Sequence, residues 1–272
     1  MSKSMRNLLF LAIVNLAAAG VVHADWPAGK TSDWNGYPRV DFKLPGEEAN
    51  CIVVSPKTAA PGKPWIWRAR FWGHQPALDL QLLAKGFHLT FCDVGNLYGA
   101  PSAVKRWDRF YALATKEGLS AKPVLEGMSR GGLIIVNWAS ANPGKVSAIY
   151  GDNPVCNFNS WPGGKNGKFS KGDWERCLRA YGLTADEAAG HPQPLSPQTL
   201  QPLAKNKVPI ALVLGLADKV VPVAENGEAL ATNYKKLGGP VRVWRKPNLG
   251  HHPHGLHPPD ELAAYLLEAV RR

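Results

Sequence analysis

Three short stretches carry residue types that do chemistry together. Gly127-Met128-Ser129-Arg130-Gly131 fits G-x-S-x-G, where a serine sits in a tight strand-to-helix turn with its hydroxyl held clear of the sheet. The glycines have a steric role in this reading, because a side chain at 127 or 131 would collide with the neighbouring strand or helix. Gly215-Leu-Ala-Asp218 and Gly250-His-His-Pro-His254 each follow a strand-like run further along the chain. A serine hydroxyl is a weak nucleophile that needs a base within hydrogen-bond reach and a third group to orient the base. Ser129, His251 and Asp218 fill these places, with Asp152 as the second choice of acid. The main-chain N–H of Arg130, at a helix start, and that of Phe71 or Trp72, in the turn after an earlier strand, are expected to hold an oxyanion.

Around this centre the expected substrate-binding residues are Arg70, His74, Trp161, His252 and His254, since aromatic faces and fork-shaped donors suit sugars and carboxylates. Core packing is the competing reading for the tryptophans. His251, His252, His254 and His257 also admit a metal site. No acidic or cysteine ligand pattern accompanies them, and a nucleophilic serine needs no metal, so neither metal nor cofactor is expected.

These residues need elements to position them. Val124-Leu125 reads as a strand end before the serine, and Leu133 to Ala139 as a helix stopped at Asn142-Pro143-Gly144. Strands are expected at Ala49–Ser55, Pro64–Trp72, His88–Asp93, Val146–Tyr150, Val208–Gly215 and Val241–Trp244, with one edge strand in the extended lead-in before Glu48. Helical spacing falls at Leu78–Leu83, Ala103–Gly118, Ala224–Leu237 and Pro259–Arg271. Strands alternating with helices imply an α/β fold with a mostly parallel, doubly wound sheet, in which ligands bind beyond the carboxyl ends of the strands. From about residue 152 to 206 the pattern weakens into a proline-rich and glycine-rich stretch, expected to be a small cap that touches substrate.

At 272 residues and 45% hydrophobic content the chain suits one α/β domain. Residues 1–24 have Lys3 and Arg6, an apolar run from Leu8 to Val22 and a small-residue end at Ala24, the pattern of a cleaved signal peptide. The mature domain would run from 25 to 272, in the periplasm or outside the cell, with no stable membrane insertion. Loss of Lys3 and Arg6 takes the formal charge from +11 to +9, compatible with an acidic polysaccharide or an anionic envelope. No basic run or basic helix points to nucleic acid. Cys51, Cys92, Cys156 and Cys177 would meet an oxidising compartment, so one or two disulfides are expected; 156 with 177 and 51 with 92 is one pairing that the sequence does not fix, and free buried thiols are the alternative.

Gly127-Met-Ser-Arg-Gly-Gly132, Gly215-Leu-Ala-Asp218 and Gly250-His-His-Pro-His254, in this order, resemble the α/β-hydrolase superfamily across nearly the whole mature chain. Within it the chain looks most like secreted bacterial carbohydrate esterases and prolyl-oligopeptidase-like hydrolases. Arginine directly after the serine also resembles the glucuronoyl esterase motif, which implies oxyanion assistance by Arg130; the chain lacks that motif's lysine after the glycine. The resemblance implies a serine esterase acting through an acyl-enzyme; the expected export, basic surface and aromatic-rich rim favour an acylated plant or algal polysaccharide or its oligomers as substrate, with acetyl as the expected group. A glucuronoyl or methyl uronate esterase is the nearest alternative, and a non-catalytic carbohydrate-binding protein on a hydrolase fold is the alternative of another class.

Overall fold

A computed structural model describes residues 26–271. The expected signal peptide lies outside the described residues. Among those described, nine strands form one sheet in the order β1-β2-β3-β5-β4-β6-β7-β8-β9. They are β1 (Lys30–Trp34), β2 (Tyr37–Lys43), β3 (Asn50–Val54), β4 (Trp65–Arg68), β5 (His88–Cys92), β6 (Val124–Met128), β7 (Ala148–Asp152), β8 (Ile210–Gly215) and β9 (Val241–Lys246). The first three pair antiparallel and β3 joins β5 antiparallel; from β5 through β4, β6, β7 and β8 to β9 every pairing is parallel.

Alternate residues of the central strands feed two cores. Val53, Trp65, Trp67, Leu125, Ile149 and Leu212 face helices α2 (Pro101–Lys116), α3 (Gly131–Ala141), α6 (Pro197–Lys205) and α7 (Gly227–Lys236). Ile52, Ile66, Leu89, Val124, Ala148 and Val213 face α1 (Ala77–Ala84) and α8 (Asp260–Val270). This is the two-faced burial that parallel strands require, and it explains their unbroken apolar runs. In the first core Trp67 stacks on Trp107 with ring centroids 3.9 Å apart, and Trp138 meets its edge at 5.2 Å.

Helices α4 (Lys171–Tyr181) and α5 (Ala185–Gly190) stand over the carboxyl end of the sheet and bury a third, smaller cluster around Phe158, Trp161 and Cys177. Helix α6 packs instead with α3 and α7 in the main layer.

Several boundaries differ from expectation. The lead-in holds a hairpin rather than a single edge strand, because Asn35 (φ 52°) and Gly36 (φ 83°) make the tight left-handed turn that joins β1 to β2. Strand β4 stops at Arg68, four residues early, as the chain bends away through Phe71 at φ 53°. The four cysteines, all within the described residues, are free thiols, so the expected bridges are absent. Cys156 belongs to the first core and Cys177 to the third, which keeps them apart. Cys51 and Cys92 do face each other across the β3–β5 ladder, as free buried thiols.

Candidate active site

The three chemical stretches meet at the carboxyl end of the sheet. Ser129 directly follows β6 and takes φ 49°, in the left-handed region that a residue with a side chain avoids. Its backbone is pinned there: Ser129 N–H donates to the Asp152 carbonyl at 2.9 Å, and its own carbonyl accepts from Gly132 N at 2.9 Å and Val155 N at 2.8 Å. The turn is possible only because β6 and α3 press together. A Cβ on Gly127 would lie 2.6 Å from the Gly131 carbonyl oxygen, and one on Gly132 would lie 2.6 Å from Pro154 Cβ and from the Val155 oxygen. Gly131 is different from expectation, since a Cβ there would meet Ala69 Cβ at an ordinary 3.4 Å. The close approaches fall at 127 and 132, the residues turned toward the helix backbone and the next loop.

Ser129 Oγ lies 3.0 Å from His251 Nε2, and His251 Nδ1 lies 2.6 Å from Asp218 Oδ2. The other Asp218 oxygen accepts from the N–H groups of Val220 at 2.8 Å and Val221 at 2.9 Å, which fixes the carboxylate and leaves Oδ2 for the ring. The histidine loop is held from below. Asn153 Nδ2 donates to the His251 carbonyl at 3.0 Å, while Asn153 Oδ1 accepts from Gly215 N at 2.7 Å, tying the ends of β7 and β8 to that loop. Asp152, the second choice of acid, is turned away. Fully buried, it binds His254 Nδ1 at 2.8 Å and accepts from Tyr150 Oη and Gly255 N, each at 2.6 Å. Burial opposes its charge, yet the hydrogen bonds from His254 and Tyr150 outweigh that and hold the carboxyl below its ordinary range.

A cavity of about 430 Å³ opens over Ser129 and His251, with walls from Phe71, Trp72, His74, Arg130, Trp161, Val220, His252 and His254. Of the expected substrate-binding residues, His74, Trp161, His252 and His254 therefore line it. Arg70 does not. Its guanidinium lies against Gly95 and 3.8 Å from the Asp93 carboxylate. Arg130 shares the cavity wall, but its guanidinium is engaged: Nη1 donates to Asp173 at 2.9 Å, and the plane stands 4.8 Å from the Trp161 ring centre. Asp173 also accepts from Tyr98 Oη at 2.6 Å and Ser170 Oγ at 2.8 Å, so α4 is locked to the start of α3. Burial works against the Asp173 charge, but these donors hold its carboxyl well below the usual carboxylate range. His74 and His252 are both lowered from the ordinary histidine range, first by partial burial and then by the neighbouring His254.

Beneath the site is a charged cluster that sequence reasoning missed. Arg68, the last residue of β4, is buried and ion-paired with Asp79 of α1, while Glu126 of β6 lies 3.3 Å away. Arg68 Nε donates to the Phe71 carbonyl at 3.2 Å and its Nη2 to the His74 carbonyl, so this guanidinium shapes the turn that brings Phe71, Trp72 and His74 to the cavity. Burial lowers the Arg68 pKa, but Asp79 and Glu126 more than offset this and keep it above the ordinary value. Burial drives the Glu126 carboxyl well above its usual range, an effect that the neighbouring Arg68 guanidinium only partly opposes. A signal was present: an arginine and a glutamate inside the apolar runs Trp-Ile-Trp-Arg68 and Val-Leu-Glu126 are expensive to bury unless they serve a partner.

No protein-family model matches the chain, and no curated protein matches it by sequence. Solved structures do. A puromycin-hydrolysing peptidase of Mycobacterium tuberculosis superposes with a TM-score of 0.63 at 16% identity, over 84% of this chain and 38% of that one. Dipeptidyl peptidase 4 of Porphyromonas gingivalis gives 0.63 at 16%, over 87% and 36%. Est1E from Butyrivibrio proteoclasticus gives 0.59 at 16%, over 90% of this chain and 100% of that one. The chain thus spans less than half of the two peptidases and the whole length of Est1E. Its fold is the α/β-hydrolase fold.

Proposed function

We propose that this chain is an exported serine esterase that cleaves carboxylic esters through an acyl-enzyme and removes acetyl groups from a plant or algal polysaccharide or its oligomers. The observation that carries the reading is the unbroken line from Asp218 through His251 to Ser129 Oγ, ending in the floor of an open cavity. Asp218 holds the imidazole with Nδ1–H toward its carboxylate, which leaves the Nε2 lone pair facing the serine hydroxyl. His251 takes the proton as Oγ attacks the ester carbonyl, then delivers it to the departing alcohol. Water enters the same position and reverses the sequence, freeing the acid.

The negative oxygen that forms at each attack needs donors already in place. The main-chain N–H of Arg130 at the start of α3 and that of Phe71 or Trp72 at the turn after β4 are assigned this role, and Arg68 sets the second turn from behind. The Arg130 side chain, bound to Asp173, positions the cap rather than the oxyanion. Trp161 gives an aromatic face to a sugar ring, while His74 and His252 offer donors and acceptors to its hydroxyls. The basic start, apolar run and small-residue end of residues 1–24 support export.

Acetate release from a panel of acetylated polysaccharides, run beside methyl and glucuronoyl uronate esters, tests this reading. Wild type is expected to release acetate, and Ser129→Ala to lose turnover by roughly 10⁴-fold to 10⁶-fold while still folding. Uronate cleavage without acetate release moves the substrate to the alternative. Carbohydrate binding that is unchanged by Ser129→Ala, with no turnover in either protein, makes this a binding protein.

A further inference from the structure

The four histidines that the sequence grouped as a candidate metal set are divided by the fold. His251 is taken up by Ser129 and Asp218, and His257 Nε2 donates to the His254 carbonyl at 3.1 Å. A different trio forms in their place. His74, from the turn after β4, joins His252 and His254 on one wall of the cavity, and one ring nitrogen of each lies within 4.8 Å of the other two. The rings stand nearly perpendicular to one another, with centroids 4.8 Å apart for His252 and His254 and 5.7 Å for His74 and His254.

We propose that His74, His252 and His254 bind a divalent transition-metal ion of the zinc class, with the fourth coordination position open to the cavity above Ser129. Three features carry this. The first is the ligand set: three imidazoles without a thiolate suit zinc, copper or nickel rather than calcium or magnesium. The second is the group behind one ring. His254 Nδ1 binds the buried Asp152 carboxylate, whose other oxygen is held by Tyr150 and Gly255, so Nε2 is the nitrogen left to face the cavity. A carboxylate in this place fixes the tautomer and orientation of a metal-bound histidine and raises its basicity. The third is reach. Tetrahedral zinc with bonds of about 2.0–2.1 Å sets its nitrogen ligands roughly 3.4 Å apart. The buried His254 stays fixed, and the exposed rings of His74 and His252 need to close by an ångström or so, within the freedom of a χ rotation.

Three protein ligands and one open position is also the pattern that distinguishes a reactive or substrate-holding zinc from a purely structural one. The ligand for the fourth place is a water, a carboxylate or a sugar hydroxyl of a substrate whose ester lies over Ser129.

The test uses the untagged mature chain stripped with chelator, in wild type and in Ser129→Ala, His74→Ala, His252→Ala and Asp152→Asn forms. Cobalt(II) is titrated in and its visible d–d bands followed, and zinc is then added in competition with calorimetry as the second readout. Wild type and Ser129→Ala are expected to take up one equivalent with the bands of a four-coordinate ion. His74→Ala and His252→Ala, both at exposed positions, should each weaken binding by tenfold or more, and Asp152→Asn by about 10–100-fold. Absence of uptake by wild type overturns the proposal, as does uptake that neither His74→Ala nor His252→Ala weakens. Loss of uptake in Ser129→Ala also overturns it, by moving the ion onto the serine–histidine pair. Because the readout is metal uptake, these results stand apart from whether the chain cleaves any ester.

Discussion

Asp218 has no contact with the serine it would serve, so its effect must pass entirely through one ring. Its Oδ2 binds His251 Nδ1 at 2.6 Å, and the Val220 and Val221 N–H groups hold Oδ1. Asp218→Asn keeps the size of the side chain but turns an amide N–H or an uncharged oxygen toward the ring. The imidazole is then offered in the wrong tautomer or left without charge compensation. Ester turnover measured at saturating substrate is expected to fall roughly 10⁴-fold with little change in thermal stability; a fall of less than tenfold would remove Asp218 from the reaction. At this scale much was legible. Ser129, Asp218 and His251 each follow a glycine-marked strand end, a signal that survives in a single sequence. The place of Arg70 was not legible, because the sequence shows only that it lies next to Phe71 and Trp72, not that the turn sends its side chain to Asp93. Asn153 was missed because an asparagine that bridges three loops looks like any turn residue.

Strand β6, the turn and helix α3 form the element on which the serine depends, and its glycines are not equivalent. A methyl at 127 would enter the Gly131 carbonyl, whereas one at 131 meets only ordinary contacts near Ala69 and Arg70. Gly127→Ala is therefore expected to give a protein that is insoluble or inactive and melts well below wild type. Gly131→Ala, at the first residue of a helix, is expected to change stability by no more than about 1 kcal/mol, on the scale of glycine-to-alanine changes in helices. Parallel thermal melts of the two variants check this, and equal damage from both would mean that the turn is packed differently. The motif alone makes both glycines look alike, since it records residue types and not which α-carbon faces the helix. The same limit explains the hairpin missed at Asn35-Gly36 and the early end of β4: both turn on single residues at positive φ.

For the molecule as a whole, the alternation of apolar runs with helical spacing was sufficient to read a doubly wound sheet, because burial on both faces demands it. The charges inside that sheet were not. They depend on partners far apart in sequence, as Arg68 with Glu126 and Asp152 with His254 show. One buried group ties global stability to pH. His88 on β5 is pushed down to about 4 by burial, which its hydrogen bond to Pro64 only partly opposes. Its folded pKa is below the ordinary value of about 6.5, so the folded state binds fewer protons between those limits. The stability it contributes is complete above about pH 6.5 and is lost as the pH falls toward 4, by about 3 kcal/mol in all. Urea unfolding at pH 7 and pH 4 should show a markedly smaller pH-dependent loss in His88→Gln than in wild type. An equal loss in the two proteins would place the acid sensitivity elsewhere.

Everything proposed for this chain depends on Ser129 being a nucleophile activated by His251. Reaction of the folded protein with a fluorophosphonate, followed by intact-mass and peptide mass spectrometry, tests that directly. Wild type is expected to carry a single adduct on Ser129, formed orders of magnitude more slowly in His251→Ala and absent in Ser129→Ala. A wild-type protein that cleaves esters yet takes no label, or carries the label on another residue, would contradict it.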